Sequence, residues 1–334
     1  MFNNDVWLDQ IHEDIVDPDR EIVDPHHHLW PNPEIHYDLE HLLKDTGSGH
    51  NIVQTVFMEC GAAYRKDGPE AFRPVGETEF VAKAAARSAE LDGQATIAGI
   101  ISHADLTGDQ LDEVIDAHED AARGLFRGIR HSGGCDPHPE ALSIPGRAKP
   151  GLYALDQFRA GVHRLGERGL TFDTWMFHHQ IADYLALAEA VPDTTMIFDH
   201  FGMPIGVGPY ADKKEEIFAK WKDDVAALSE CPNVYAKLGG LAMPDMGYGW
   251  NLRETPASSD ELVAAQSRWY DHAIKCFGPE RCMFESNFPV DRQSLSYRTL
   301  WNGLKKIAAK YSEDEQDLMF SGVARKIYRL PAAT

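Results

Sequence analysis

The chain has 334 residues, with 32 Lys and Arg against 53 Asp and Glu, a formal charge of −21. With no basic surplus to neutralise phosphates it is not expected to bind nucleic acid, and an anionic membrane surface would repel it. Its apolar share of 43% suits a folded globular protein, not a disordered one.

Short β-branched or apolar runs, bounded by Gly, Pro, Asp or Asn, predict eight strands in chain order: 21–24, 52–59, 96–101, 125–130, 170–175, 195–199, 233–238 and 281–285. Between and after them, apolar residues at helical spacing predict helices over 77–91, 110–122, 155–165, 181–190, 215–228, 261–276 and 297–310. In the third of these, Leu155, Phe158, Val162 and Leu165 share one face. A last helix, 312–328, opens on Ser312-Glu313-Asp314-Glu315, a capping box in which Ser312 and Glu315 satisfy each other's backbone donors.

Parallel strands need long crossovers, and eight strand–helix units predict a single (β/α)8 barrel with long βα loops and an extra C-terminal helix. An open doubly wound sheet would show a Gly-rich turn after its first strand, where this chain has Asp24-Pro25-His26-His27-His28. Residues 1–20 read as an acidic N-terminal extension and 21–334 as one catalytic domain. The four longest irregular stretches, 61–76, 132–151, 202–212 and 239–259, all follow strands, on the barrel face where active sites sit. The N-terminus is acidic and lacks an apolar core, no apolar run reaches the roughly 18 residues needed to span a bilayer, and the five cysteines are scattered without a CxxC. A cytoplasmic protein with free thiols and no membrane partner is expected.

Alternation along the first strand puts His26 and His28 on one face, where two imidazoles can bind one metal ion or grip one anion. His200 ends the sixth strand just before Gly202; the same alternation turns Asp199 the other way, towards the helices, as a structural acceptor. On the eighth strand Met283, Glu285 and Asn287 share a face. Apolar neighbours favour an inward Glu285, and a carboxylate inside a barrel requires a metal ion or another cation as partner. Glu59, Arg130, Trp175, His178 and Lys237 stand at or near strand ends as candidate substrate contacts. An Arg there suits a carboxylate or a developing oxyanion. Only one of His178 and His179 can face the site. Cys60, with no supporting His beside it, reads as a buried small residue.

Three motifs together, Ile22-Val23-Asp24-Pro25-His26-His27-His28-Leu29-Trp30, Phe198-Asp199-His200-Phe201-Gly202 and Ser286-Asn287-Phe288-Pro289-Val290-Asp291, resemble the amidohydrolase superfamily. The nearest branch is the amidohydrolase-related barrels that include pyrone-dicarboxylate, sulfomuconolactone and sugar lactonases. The resemblance runs from residue 21 to nearly the end. It implies that His26, His28 and His200 match the branch's histidines, and that Arg130 sits where a substrate-carboxylate arginine is placed. In that branch some members bind one divalent ion and others polarise the carbonyl with histidines and arginines alone. The eighth-strand position, usually Asp, is Asn287 here. An amide cannot take a proton from water, so either Glu285 or Asp291 supplies the carboxylate, or a metal-bound hydroxide needs less help; Glu285 fits a three-histidine-plus-glutamate zinc site.

The expected function is therefore a hydrolase that opens a small carboxylated lactone or related ring-cleavage product. His26, His28, His200 and Glu285 would hold a divalent ion, zinc by expectation. His200, Glu285, Asn287 and Asp291 would form the catalytic group, with Asp291 or Glu285 carrying the proton. Carbon–carbon bond hydrolysis or decarboxylation on the same fold is the first alternative, and a non-catalytic binding barrel the second. A small-molecule substrate is the expected partner, and a homodimer the default assembly.

Overall fold

A computed structural model describes residues 3–332. Its strands are Glu21–His27 (β1), Asn51–Met58 (β2), Thr96–Ser102 (β3), Phe126–Arg130 (β4), Thr171–Thr174 (β5), Met196–Phe198 (β6), Val234–Leu238 (β7) and Cys282–Phe284 (β8). Each is parallel to the next, in chain order. The ring closes just beyond β8. His27 bridges Phe288 in parallel, and the His28 N–H donates to the Phe288 carbonyl at 2.8 Å. Asp24 fastens the same seam, accepting from the Ser286 N–H at 3.0 Å, the Ser286 hydroxyl at 2.5 Å and the Tyr297 hydroxyl at 2.9 Å. The fold is a (β/α)8 barrel.

The seven crossover and outer helices fall at 75–88, 111–122, 156–167, 181–190, 214–229, 259–277 and 297–308, within a few residues of the sequence-derived limits. Their apolar stripes, Phe158, Val162 and Leu165 among them, pack on the outward faces of the strands; Leu155, expected on the same stripe, is the N-cap, outside the helix proper, and is exposed. Two short helices, Asp5–Leu8 and Leu39–Thr46, carry too few turns to show a period, and the sequence reading does not contain them. The predicted 312–328 helix is present behind its Ser312–Glu315 capping box, but π-helical geometry over Leu318–Gly322 divides it. Among the described residues no helix is long and apolar enough to cross a membrane.

The barrel interior is filled by Val23, Val56, Met58, Ile101, Ile197 and Met283, which meet Val323, Ala324, Ile327 and Tyr328 from the C-terminal segment. That segment plugs the end at which the strands begin. Arg325 pairs with Glu21 at 2.7 Å, Gln54 donates to the Pro331 carbonyl at 3.1 Å, and Arg329 donates to the Arg127 carbonyl at 3.3 Å. From inside the plug, the Tyr328 hydroxyl donates to Asp173 Oδ1 at 2.5 Å. Tyr328→Phe removes one donor from a fully buried carboxylate. It should cost about 1–3 kcal/mol of stability, measured by urea unfolding at unchanged m-value.

Candidate active site

His26, His28, His200 and Glu285 converge at the strand ends where the βα loops begin. His26 Nδ1 lies 2.7 Å from Glu285 Oε2, and His200 Nδ1 lies 2.6 Å from Glu285 Oε1. The His26 and His200 rings are 4.5 Å apart. All three residues are buried, and their donor atoms lie within 4.8 Å of one another. His28 stands beside this group. Its Nδ1 is 2.8 Å from the Met58 carbonyl and its Nε2 is 3.3 Å from His26 Nε2.

Backbone geometry explains the convergence. β6 stops at Phe198, and His200 and Phe201 both adopt left-handed conformations, with φ of 54° and 57°. Strand alternation therefore ends before Asp199, and both Asp199 and His200 turn into the barrel. The expectation that Asp199 faces the helices is wrong for that reason. Glu285 also lies one residue past its strand and faces inward. Room for both side chains comes from Gly239-Gly240 after β7, a pair the sequence reading left unused. A Cβ on Gly239 would sit 2.4 Å from Glu285 Cγ, and one on Gly240 would sit 2.5 Å from His200 Nδ1.

Hydrogen positions follow from the partners. His28 must donate its Nδ1–H to the Met58 carbonyl, so its Nε2 presents a lone pair towards His26 Nε2. A hydrogen on His26 Nε2 satisfies that lone pair and leaves His26 Nδ1 bare, facing Glu285 Oε2. Neither His26 Nδ1 nor Glu285 Oε2 has an aligned hydrogen-bond partner. A bare nitrogen against a carboxylate oxygen needs a cation or a proton between them. In the opposite tautomer His26 Nε2 accepts from Arg130 Nη1, also 3.3 Å away.

Burial holds the imidazoles neutral: it lowers His26 and His28 well below the ordinary histidine range and His200 to about 3. Burial pushes Glu285 the other way, to about 8, and Asp199 to about 6. Two cations lie among these acids. Lys237 Nζ is 3.0 Å from Asp173 and 3.4 Å from Asp199. Arg130 is 2.9 Å from Glu59 and 3.8 Å from Asp199. Four carboxylates, Glu59, Asp173, Asp199 and Glu285, thus surround two bases. Two neutral imidazoles and one carboxyl group, in an interior where acids outnumber cations, fit a divalent ion held by His26, His200 and Glu285.

The remaining sequence candidates divide. Arg130 presents no free fork to a substrate carboxylate: Nε and Nη2 are taken by the Glu59 side chain and carbonyl, and Nη1 faces His26. Lys237 is likewise buried between two acids, Asp173 and Asp199. Both cations answer buried negative charge, which outweighs a place at the open mouth. Asn287, at φ 54°, donates to Asp291 Oδ1 at 2.9 Å, while Asp291 Oδ2 accepts from the Ala242 N–H at 3.2 Å. Burial raises the Asp291 carboxyl well above its ordinary range. The Trp175 ring lies on Gly134, where a Cβ would come within 2.2 Å, so it anchors the loop after β4. His178 and His179 both belong to a rim cluster. His179 Nε2 is 2.9 Å from Asp136, which accepts from the Tyr210 hydroxyl at 2.8 Å, and the His178 ring meets Tyr210 edge-on. The Cys60 thiol is raised well above its ordinary value, by burial and by Glu77. Asp173, Asp199 and Tyr328 complete the polar interior and were not chosen from sequence.

Two outcomes follow from this geometry. Gly239→Ala should displace Glu285 and lower zinc affinity about 10–100-fold with the far-ultraviolet spectrum unchanged, as titration calorimetry would read. The native pKa of Glu285 exceeds its unfolded one, so the protonated carboxyl favours the folded state. Metal-free protein should then lose stability as pH rises from 4.5 through about 8. An added divalent ion that takes the carboxylate as a ligand, with zinc as the probe, should reverse that slope. Parallel plots of Tm against pH with chelator and with zinc would refute this.

Comparison with known proteins agrees with the fold and the motifs. The family model described as Amidohydrolase matches residues 23–330. Protein y4mH of Sinorhizobium fredii is 28% identical over 331 residues, 92% of this chain and 98% of its own. L-fucono-1,5-lactonase of Burkholderia multivorans is 26% identical over 241 residues, 71% of this chain and 73% of its own. A crystal structure of an amidohydrolase from Burkholderia multivorans with bound zinc superposes with a TM-score of 0.71, at 22% identity, over 93% of this chain and 99% of that one. With the family matched along nearly its whole length, the chain belongs to the amidohydrolase family and is a hydrolase.

Proposed function

We propose that this hydrolase opens a lactone ring, with water attacking the ring carbonyl beside His26, His200 and Glu285. The observation that carries the reading is the buried trio itself: two neutral imidazoles on one carboxyl group, in an interior where acids outnumber cations. His26, His200 and Glu285 would hold a divalent ion, zinc by the chemistry of the donors. When bound, such an ion supplies Lewis-acid polarisation of a carbonyl oxygen. His28 fixes the ring orientation and tautomer of His26. Asp291, oriented by Asn287 and held ionised by a dication at Glu285, would carry the proton that leaves the water and ends on the departing ring oxygen as the carbon–oxygen bond breaks. Asn287 itself, lacking basicity, has only this orienting part.

The engagement of Arg130 and Lys237 in ion pairs favours a substrate recognised through hydroxyls over one recognised through a carboxylate. A sugar-type lactone therefore fits better than a dicarboxylated one, and the relationship to an L-fucono-1,5-lactonase supports the same class.

A panel of sugar lactones, including L-fucono-1,5-lactone, assayed beside 2-pyrone-4,6-dicarboxylate with a pH indicator tests this. Sugar-lactone opening, reduced at least about 100-fold in kcat by His26→Ala and by His200→Ala, is expected. Release of carbon dioxide or of two carbon fragments from an aromatic-derived acid, with no lactone turnover, would replace it with carbon–carbon chemistry.

A further inference from the structure

A second set of donors lies on the loop after β1. His36 Nε2 is 3.2 Å from Asp38 Oδ2, and His41 Nδ1 is 2.7 Å from Asp38 Oδ1. Donor atoms of the three residues lie within 4.8 Å of one another, and the two rings stand 5.1 Å apart at 85°. Unlike the central trio, these side chains are open to solvent, with His36 48%, Asp38 36% and His41 42% exposed.

The set is held in advance of any ligand. Asp38 caps the helix Leu39–Thr46, accepting from the Glu40 N–H at 3.1 Å and the His41 N–H at 3.3 Å, so its carboxylate has one orientation. His36 and Asp38 flank Tyr37, whose backbone pairs with Trp30 in both directions, at 2.7 and 3.0 Å. Tyr37 is pinned below by its hydroxyl, which donates to Asp45 at 2.8 Å. Two imidazoles and one carboxylate converging from a bridged loop and a helix start, with solvent to complete the shell, form an open borderline-metal site. A chain of charge −21 also concentrates cations at its surface.

We propose that His36, Asp38 and His41 form a second divalent transition-metal site at the barrel rim, separate from the central one. Its ion ties both sides of Tyr37 to the helix. That holds the Trp30–Tyr37 bridge in place, and with it the Trp30 ring, which packs 5.1 Å from His28. The rim ion thereby stiffens the wall against which a central histidine rests.

Zinc titration of the chelator-stripped full chain by calorimetry tests the proposal, with stoichiometry checked by elemental analysis after dialysis. Wild type should bind two equivalents, and the His36→Ala/His41→Ala variant one. The His26→Ala/His200→Ala variant should retain the rim equivalent. If the centre takes no zinc, wild type binds a single equivalent that His36→Ala/His41→Ala abolishes; the rim site then stands and the central reading falls. An unchanged zinc count in His36→Ala/His41→Ala, with its circular dichroism spectrum intact, overturns the proposal.

Discussion

Everything at the centre of this barrel answers one electrostatic constraint: negative charge that is out of water must be balanced within a few ångströms. A buried carboxylate without a partner shifts its pKa and neutralises, because desolvation of the ion costs far more than the fold can supply. Asp173, Asp199 and Glu285 are fully buried, and Glu59 nearly so. Lys237 and Arg130 are drawn between them, Tyr328 lends a hydroxyl, and two imidazoles close on Glu285. The histidine cluster, the inward cations and the C-terminal plug are parts of one charge arrangement. Its unfinished balance is what suits it to a dication.

The same constraint commits Arg130 and Lys237 to internal acids. The long loops around the mouth are tied together by acids of their own: Asp136 joins the loop after β4 to His179 and Tyr210. Asp245 joins the same loop to the one after β7, accepting from Ser143 and Ile144. Buried acids at loop bases set the rim's shape, and loop tips remain free to vary around the same chemistry.

Much of the architecture was legible because it depends on period. Phe158, Val162 and Leu165 announce a helix, and Thr195 to Asp199 announces a strand, whatever lies around them. His26, His28, His200 and Glu285 could be singled out because they stand at strand ends, and the structure brings them together. Asp199 was misplaced because alternation was carried one residue past the last ladder partner, into a left-handed turn that no side-chain pattern reveals. Arg130 and Lys237 could be singled out as strand-end cations, but not the internal acids that the structure pairs them with. Their partners Glu59, Asp173 and Asp199 come from other strands, and registration between strands is a tertiary fact. Gly239-Gly240 carried a readable signal, two glycines at a strand's end, whose meaning depends on side chains arriving from β6 and β8. Tyr328 carried none: a tyrosine in an amphipathic helix looks like any core aromatic.

The position of that tyrosine has a consequence for how the protein is made. Chains fold as they emerge, and strands β1 to β8 are complete once residue 284 has left the ribosome. The hydroxyl that steadies Asp173, and the apolar plug around it, emerge about forty residues later. Until then the nascent barrel has its acids gathered but its floor open to water, which keeps those charges solvated. Arrival of the plug expels that water and commits the acids to their partners. Synthesis order thus separates assembly of the strands from desolvation of the centre, and the last helix sets the moment at which the interior becomes dry.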